Sequence, residues 1–150
     1  MSIHEEVELL KGVPLFSKLE ANKLKLLAFT SERLTFSPGQ DLCRQGDMGD
    51  AMYVVLGGSA DVIIETPSGP HKVAELGKNG FVGEMAILLD VPRTATVTVR
   101  ETLTALKITK EQFFRMVTEI PTMAVEMMRE LAHRLDDTNR QLSAMRAKAA

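Results

Sequence analysis

The stretch Phe81–Val97, FVGEMAILLDVPRTATV, decides how the chain is read. It brings together a glycine, a carboxylate, an apolar helical turn, a proline and an arginine. GEMAILL, from Gly83, suits one or two helical turns, and RTATVTV alternates as a strand does. If Arg93 opens that strand, it shares a face with Ala95, Val97 and Val99. The face is apolar and is predicted to point inward. An arginine aimed into a β core needs an anionic partner, because a buried unpaired charge is very costly. Two readings stay open at this point. One is a structural ion pair to Glu84, Glu75 or Asp90. The other is a ligand anion, and a planar guanidinium suits a phosphate in particular.

The residues before Arg93 bear on that choice. Gly83 on its own reads first as a tight turn. At the entry to a short helix it also lets a ligand approach the backbone, where free amides favour an anion. Glu84 in a first helical turn ordinarily compensates the helix dipole. Beside a bound phosphate it would repel, unless it takes a different part of the ligand, and a ribose 2′-OH fits that need. Ala86 and Ala95 are small enough to leave their amides approachable, and Pro92 fixes the backbone just before the arginine.

Outward from this stretch the chain is β-patterned. Leu34 and Phe36 alternate with polar residues before a Ser37–Gln40 turn, and Leu42 and Cys43 form a short strand. Gln45–Asp50 is a turn with two glycines available for positive backbone angles. AMYVVL, from Ala51, is a short apolar run expected as a buried strand. Ala60, Val62 and Ile64 alternate after Gly57-Gly58, and Thr66–Pro70 closes a hairpin onto Val73 and Leu76. LTALKI follows a break at Glu101-Thr102. Strands recurring with turns between them from 31 to 108 indicate a sandwich or barrel.

Both ends read as helical. Ile3–Lys11 and about Leu19–Thr30 carry apolar faces, with Val7 and Leu10 on the first and Leu24, Leu27 and Ala28 on the second. Thr109 with Gln112 makes a capping box, and Phe113, Phe114 and Val117 face inward from that helix. Pro121 opens a last helix to about Arg146, and the final MRAKAA is expected to fray. Its heptad-like stripe is Ala124, Met128, Leu131, Leu135, Thr138, Leu142 and Met145.

Composition excludes several functions. At 150 residues the chain is expected to form one domain with a real core. A net charge of -2 gives no general attraction to nucleic acid or anionic membrane. The single cysteine, Cys43, precludes an intrachain disulfide and a cysteine-ligated cluster. It reads as a small core residue. His4, His71 and His133 lack ligand spacing, so no metal site is expected. No run is long and apolar enough to span a membrane, and the N-terminus lacks a signal pattern, which makes cytoplasmic the expected location. No nucleophile or acid–base constellation suggests an enzyme.

The central stretch resembles the phosphate-binding cassette of cyclic nucleotide-binding domains, roughly F-G-E-hydrophobic-A-hydrophobic, a short spacer, then P-R-x-A-T-V. Gly83, Glu84, Ala86, Pro92, Arg93, Ala95, Thr96 and Val97 fill its core positions without a gap. VPLFSKLEANKLKLLA resembles the family's N-terminal helical segment, and FSPGQDLCRQGDMGDAMYVVLGGSADV its first jelly-roll strands. The resemblance implies an α+β fold of bacterial type. A jelly-roll barrel or sandwich of about eight short strands would carry N-terminal helices, a short internal cassette helix and two C-terminal helices. It spans 1–150 as one domain: a helical segment at 1–30, a β-roll at 31–108, and hinge and lid helices at 109–148.

The resemblance also implies roles. Arg93 would grip the cyclic phosphate with backbone amides near Ala86 and Ala95. Glu84 would bind the ribose 2′-OH, with Gly83 contributing through its backbone and Met85 and Thr94 lining the ligand. Arg134, Thr138 and Asn139 resemble base-contacting lid residues of some bacterial members, although from the residues alone Arg134 reads first as solvated and Thr138 as a seam residue. A hydroxyl like that of Thr94 accompanies cGMP preference in cGMP-dependent kinases and also occurs in bacterial cAMP binders, so cAMP is favoured over cGMP without being decided. The expected function is a regulatory sensor module acting on an unknown downstream effector. One alternative is the effector domain of a helix-turn-helix regulator like the catabolite activator protein, which requires a truncated chain. Another is a regulatory piece of a channel, transporter or larger signalling protein. A haem or iron–sulfur ligand is opposed by the intact Glu84/Arg93 pair. The stripe on the last helix would pair two copies in a homodimer or pack on the domain.

Overall fold

Apolar spacing lays down the N-terminal helices much as expected. The structure is a computed structural model and describes residues 2–149; Met1 and Ala150 of the expected 1–150 domain lie outside it. Helix α1 (Ile3–Lys11) buries Val7 and Leu10, and Ser2 Oγ caps it by accepting from the Glu5 amide at 3.2 Å. A 3-10 turn at Pro14–Phe16 buries Leu15 and Phe16. Helix α2 (Ala21–Thr30) buries Leu24, Leu27 and Ala28.

Six antiparallel strands follow where about eight were expected: β1 (Glu32–Phe36), β2 (Asp41–Cys43), β3 (Ala51–Thr66), β4 (Gly69–Leu76), β5 (Phe81–Val82) and β6 (Thr96–Thr109). The count falls because two apparent breaks are bends. β3 continues for 16 residues through Gly57-Gly58, and β6 for 14 through Glu101-Thr102. Their mutual register shifts at Val55/Gly57, Gly57/Ser59 and Ser59/Ala60, so bulges turn the ladder without ending it. Gly58 (φ 87) allows the bend, because a Cβ there would collide with the Thr102 carbonyl. The order is β1-β6-β3-β4, with β2 on β6 and β5 on β3, and the sheet is not a closed barrel.

The bent pair separates two apolar clusters. Met52, Val54, Leu56, Leu106 and Ile108 pack on the helices with Phe16, Leu24, Phe81 and Ile87. Tyr53, Val55, Val97, Val99, Leu103 and Ala105 fill the inside of the roll. This explains the unbroken AMYVVL run: both faces of that strand are buried.

Helix α3 (Glu84–Leu89) interrupts the sheet. Helix α4 (Lys110–Glu119) starts with the expected capping box, in which Thr109 Oγ1 accepts from the Gln112 amide and Gln112 Oε1 from the Thr109 amide. Phe113 is buried, while Phe114 is 41% exposed. Helix α5 (Pro121–Ala149) is helical through Ala149, beyond the expected fraying near Arg146. It docks mainly through Met123 and Met127, each at most 4% exposed, and Leu131 of the heptad-like stripe also packs against this core. Met128, Leu135, Leu142 and Met145 of that stripe are 46–67% exposed. Among the described residues no helix is long and apolar enough to cross a membrane.

Candidate functional site

The Gln45–Asp50 turn positions Arg93. The Arg93 amide donates to the Asp47 carbonyl (2.8 Å), and the Gly46 amide donates to the Arg93 carbonyl (2.9 Å). Arg93 therefore precedes β6 and does not open it, yet it points inward as expected and is 8% exposed. Its Nη2 donates to the Ala51 carbonyl at 2.6 Å and its Nη1 to the Gly83 carbonyl at 3.3 Å. Two glycines make room for it. A Cβ on Gly49 would collide with the guanidinium, and one on Gly83 would stand 2.5 Å from Nη1 and 2.9 Å from the Ala51 oxygen. Gly83 also takes φ 101 at the N-cap of α3, a left-handed conformation that side chains disfavour.

No described carboxylate pairs with Arg93, and each candidate named from the sequence is engaged elsewhere. Asp90 pairs with Lys110 at 3.4 Å. Glu75 pairs with Lys72 at 2.6 Å and Arg100 at 3.2 Å. Glu84 Oε1 pairs with Arg134 at 3.2 Å. A buried cation held only by carbonyl oxygens retains an unmet demand for an anion.

Glu84 is 4% exposed. Its Oε1 is held by Arg134, while its Oε2 is buried without a hydrogen-bond partner. Burial pushes its carboxyl above the ordinary carboxylate range, while its own backbone amide and the charges of Arg134 and Arg93 pull it back. Arg134 reaches down from α5. It also donates to the Phe81 carbonyl at 2.8 Å and stacks 4.3 Å from the Phe81 ring centre.

These groups border one cavity of about 560 Å³. Gly83, Glu84, Met85, Ala86, Arg93, Thr94 and Ala95 all line it, as the sequence grouped them. Arg134 and Thr138 line it from α5, and Thr138 Oγ1 bonds back to the Arg134 carbonyl at 2.8 Å. Asn139 does not line it; Glu130, Asp137 and Gln141 do. Helical spacing explains the exchange, since 134, 137, 138 and 141 share a face and 139 is turned away. Among the described residues no group of histidines, cysteines and carboxylates could hold a metal ion.

The family model for the cyclic nucleotide-binding domain matches residues 33–119, more than half of the chain. The chain belongs to that family. A cAMP-dependent protein kinase regulatory subunit of Blastocladiella emersonii is 35% identical over 109 residues, 72% of this chain and 27% of that protein. A cyclic nucleotide-gated potassium channel of Mesorhizobium japonicum is 34% identical over 125 residues, 83% of this chain and 33% of that protein. This cyclic nucleotide-binding domain thus spans a third or less of these two relatives' length. The catabolite activator protein of Thermus thermophilus superposes with TM-score 0.79 at 26% identity, covering 88% of this chain and 62% of that one. The regulatory domain of a Toxoplasma gondii protein kinase, solved with cAMP, shares the fold (TM-score 0.76, 22% identity, 87% of this chain and 50% of that one).

Sequence reading missed several features of the site. Cys43 packs partly buried against the inner cluster, as a small core residue would, and it also lines the cavity, which the sequence did not signal. Gly49 was read for backbone freedom, but Gly46 takes the positive angle (φ 90) and Gly49 supplies space for Arg93. Asp137 and Gln141 carried no signal except their spacing from Arg134 and Thr138.

Proposed function

We propose that the chain is a sensor module that binds cAMP in preference to cGMP and regulates a downstream effector. The observation that carries this is the buried, uncompensated charge of Arg93 next to a carboxylate with one unpartnered oxygen. A cyclic phosphate supplies the missing anion, helped by amides near Ala86 and Ala95. The ribose 2′-OH donates to Glu84 Oε2, which lets Arg134 keep Oε1. Sulfate or free phosphate answers only the first demand. The base lies towards α5, against Arg134 and Thr138, with Thr94 beside the phosphate.

Residues 1–150 act as one unit in this reading, and α5 is the lid. Ligand that binds the closed arrangement better shifts the population of α5 towards it. The outward stripe Met128–Leu135–Leu142–Met145 is where a second copy would pair. The effector is a partner such as a kinase subunit, a channel or the rest of a transcriptional regulator, the classes that the names of similar proteins give. Thermal melting with cAMP, cGMP and 5′-AMP tests the reading. A cyclic nucleotide raises the melting temperature progressively above its dissociation constant, cAMP at the lowest concentration. No response to either cyclic nucleotide in folded, ligand-free protein overturns it.

A further inference from the structure

Cys43 is the only thiol in the chain, and it lies on the cavity wall between β2 and the start of β6. Its Sγ stands 3.8 Å from the Ala95 carbonyl, next to the segment that carries Arg93. A lone cysteine would carry little by itself. Here the same cavity also holds Glu84, 4% exposed, with Oε2 lacking a partner. That orphaned oxygen marks the cavity that the thiol lines as built for a ligand. We infer that Cys43 is a thiol-modification site inside the ligand cavity, so that a mixed disulfide there and a bound nucleotide exclude one another.

The inference rests on the cavity being the nucleotide site, and it adds a second input to that site. An adduct on Sγ projects into volume that the ligand needs. In the other direction, an occupied cavity leaves no path for a reagent to reach Sγ. The chemistry is ordinary exchange. The thiol gives its proton to solvent, the thiolate attacks one sulfur of a small disulfide, and a new S–S bond forms as the reagent's own breaks. The departing thiolate carries away the bonding electrons. Two local effects set the rate. Burial pushes the thiol's pKa up and the charge of Arg93 partly lowers it, so the thiol reacts slowly. Asp41 and Asp47 oppose Arg93 at the thiol, so a bound ligand protects Sγ by closing the path and not by cancelling a charge.

The test uses the full chain with 5,5′-dithiobis(2-nitrobenzoate) as an anionic disulfide and cystamine as a cationic one. Methyl methanethiosulfonate supplies the smallest adduct. Labelling is followed with and without cAMP, and cAMP binding by calorimetry before and after modification. Circular dichroism checks that modified protein stays folded. With cAMP at about 100 times its dissociation constant, labelling slows about 100-fold. Modified protein loses binding and regains it on reduction, while Cys43→Ser binds cAMP and takes up no label. If cAMP binds but labelling is not slowed, or if folded, modified protein binds cAMP as before, the inference fails and the nucleotide reading stands. If unmodified protein does not bind cAMP, the nucleotide reading fails and takes the inference with it.

Discussion

Replacing Glu84 by glutamine has two opposite consequences that share one cause. In the liganded protein, Glu84 Oε2 accepts the ribose 2′-OH. A hydrogen bond to a charged group is worth about 1.5–3 kcal/mol and a neutral one about 0.5–1.5. Glu84→Gln therefore loses about 1–1.5 kcal/mol, a rise of about 5- to 13-fold in the cAMP dissociation constant. In the empty protein, burial raises the carboxyl pKa. The native state then holds its proton more tightly than the unfolded chain. The contribution of Glu84 to stability is thus greatest below the ordinary value of 4.5 and falls as pH rises from there through the raised pKa. Glutamine lacks that slope, so empty Glu84→Gln melts at least as high as wild type at neutral pH. Calorimetry of cAMP and 2′-deoxy-cAMP on both proteins, with melting across pH, measures both effects. Wild type loses about 1.5–3 kcal/mol of affinity for the deoxy ligand and the variant only the roughly 0.5–1.5 kcal/mol of the neutral bond it keeps, because both changes act on one contact. Equal wild-type affinity for the two ligands refutes the ribose contact. A variant that melts well below wild type at neutral pH refutes the account of the buried carboxylate.

Other substitutions test the surroundings. Gly83→Ala puts a methyl against Arg93 in a left-handed conformation, costs about 1–3 kcal/mol by chemical denaturation, and weakens cAMP binding. Met127→Ala, in the α5 dock at 4% exposure, costs about 2–5 kcal/mol. Lys18→Ala, which removes an exposed 2.7 Å pair with Glu126, costs less than about 1 kcal/mol, and parallel denaturant titrations separate the two. Asp137→Ala, on the cavity face of α5, changes the ratio of cAMP to cGMP dissociation constants, whereas Asn139→Ala leaves that ratio within error.

The cassette was legible because its chemistry is local. A glycine, a carboxylate and an arginine at that spacing need only one short helix and one turn to meet, and Gly83, Glu84, Met85, Ala86, Arg93, Thr94 and Ala95 all line the cavity. The strand count was less legible, because glycine pairs mark bends as readily as ends. Gly57-Gly58 reads as a terminus until its partner strand is known to bend beside it. Helix α5 was hardest. Its apolar stripe has a sound heptad period, yet docking centres on Met123 and Met127 on an adjacent face, with Leu131 of the stripe beside them. Which face turns inward depends on the α4–α5 connection near Ile120, and no periodicity encodes that. The same rotation decides that Asp137 and Gln141, not Asn139, face the cavity.

The central claim is that Arg93 is a buried cation awaiting the phosphate of a cyclic nucleotide. Titration of cAMP into wild type and Arg93→Leu, each verified as folded by its melting transition, addresses it most directly. Wild type binds saturably and the variant loses at least about 100-fold in affinity, since two charge-assisted bonds vanish together. Equal binding by the two proteins would contradict it.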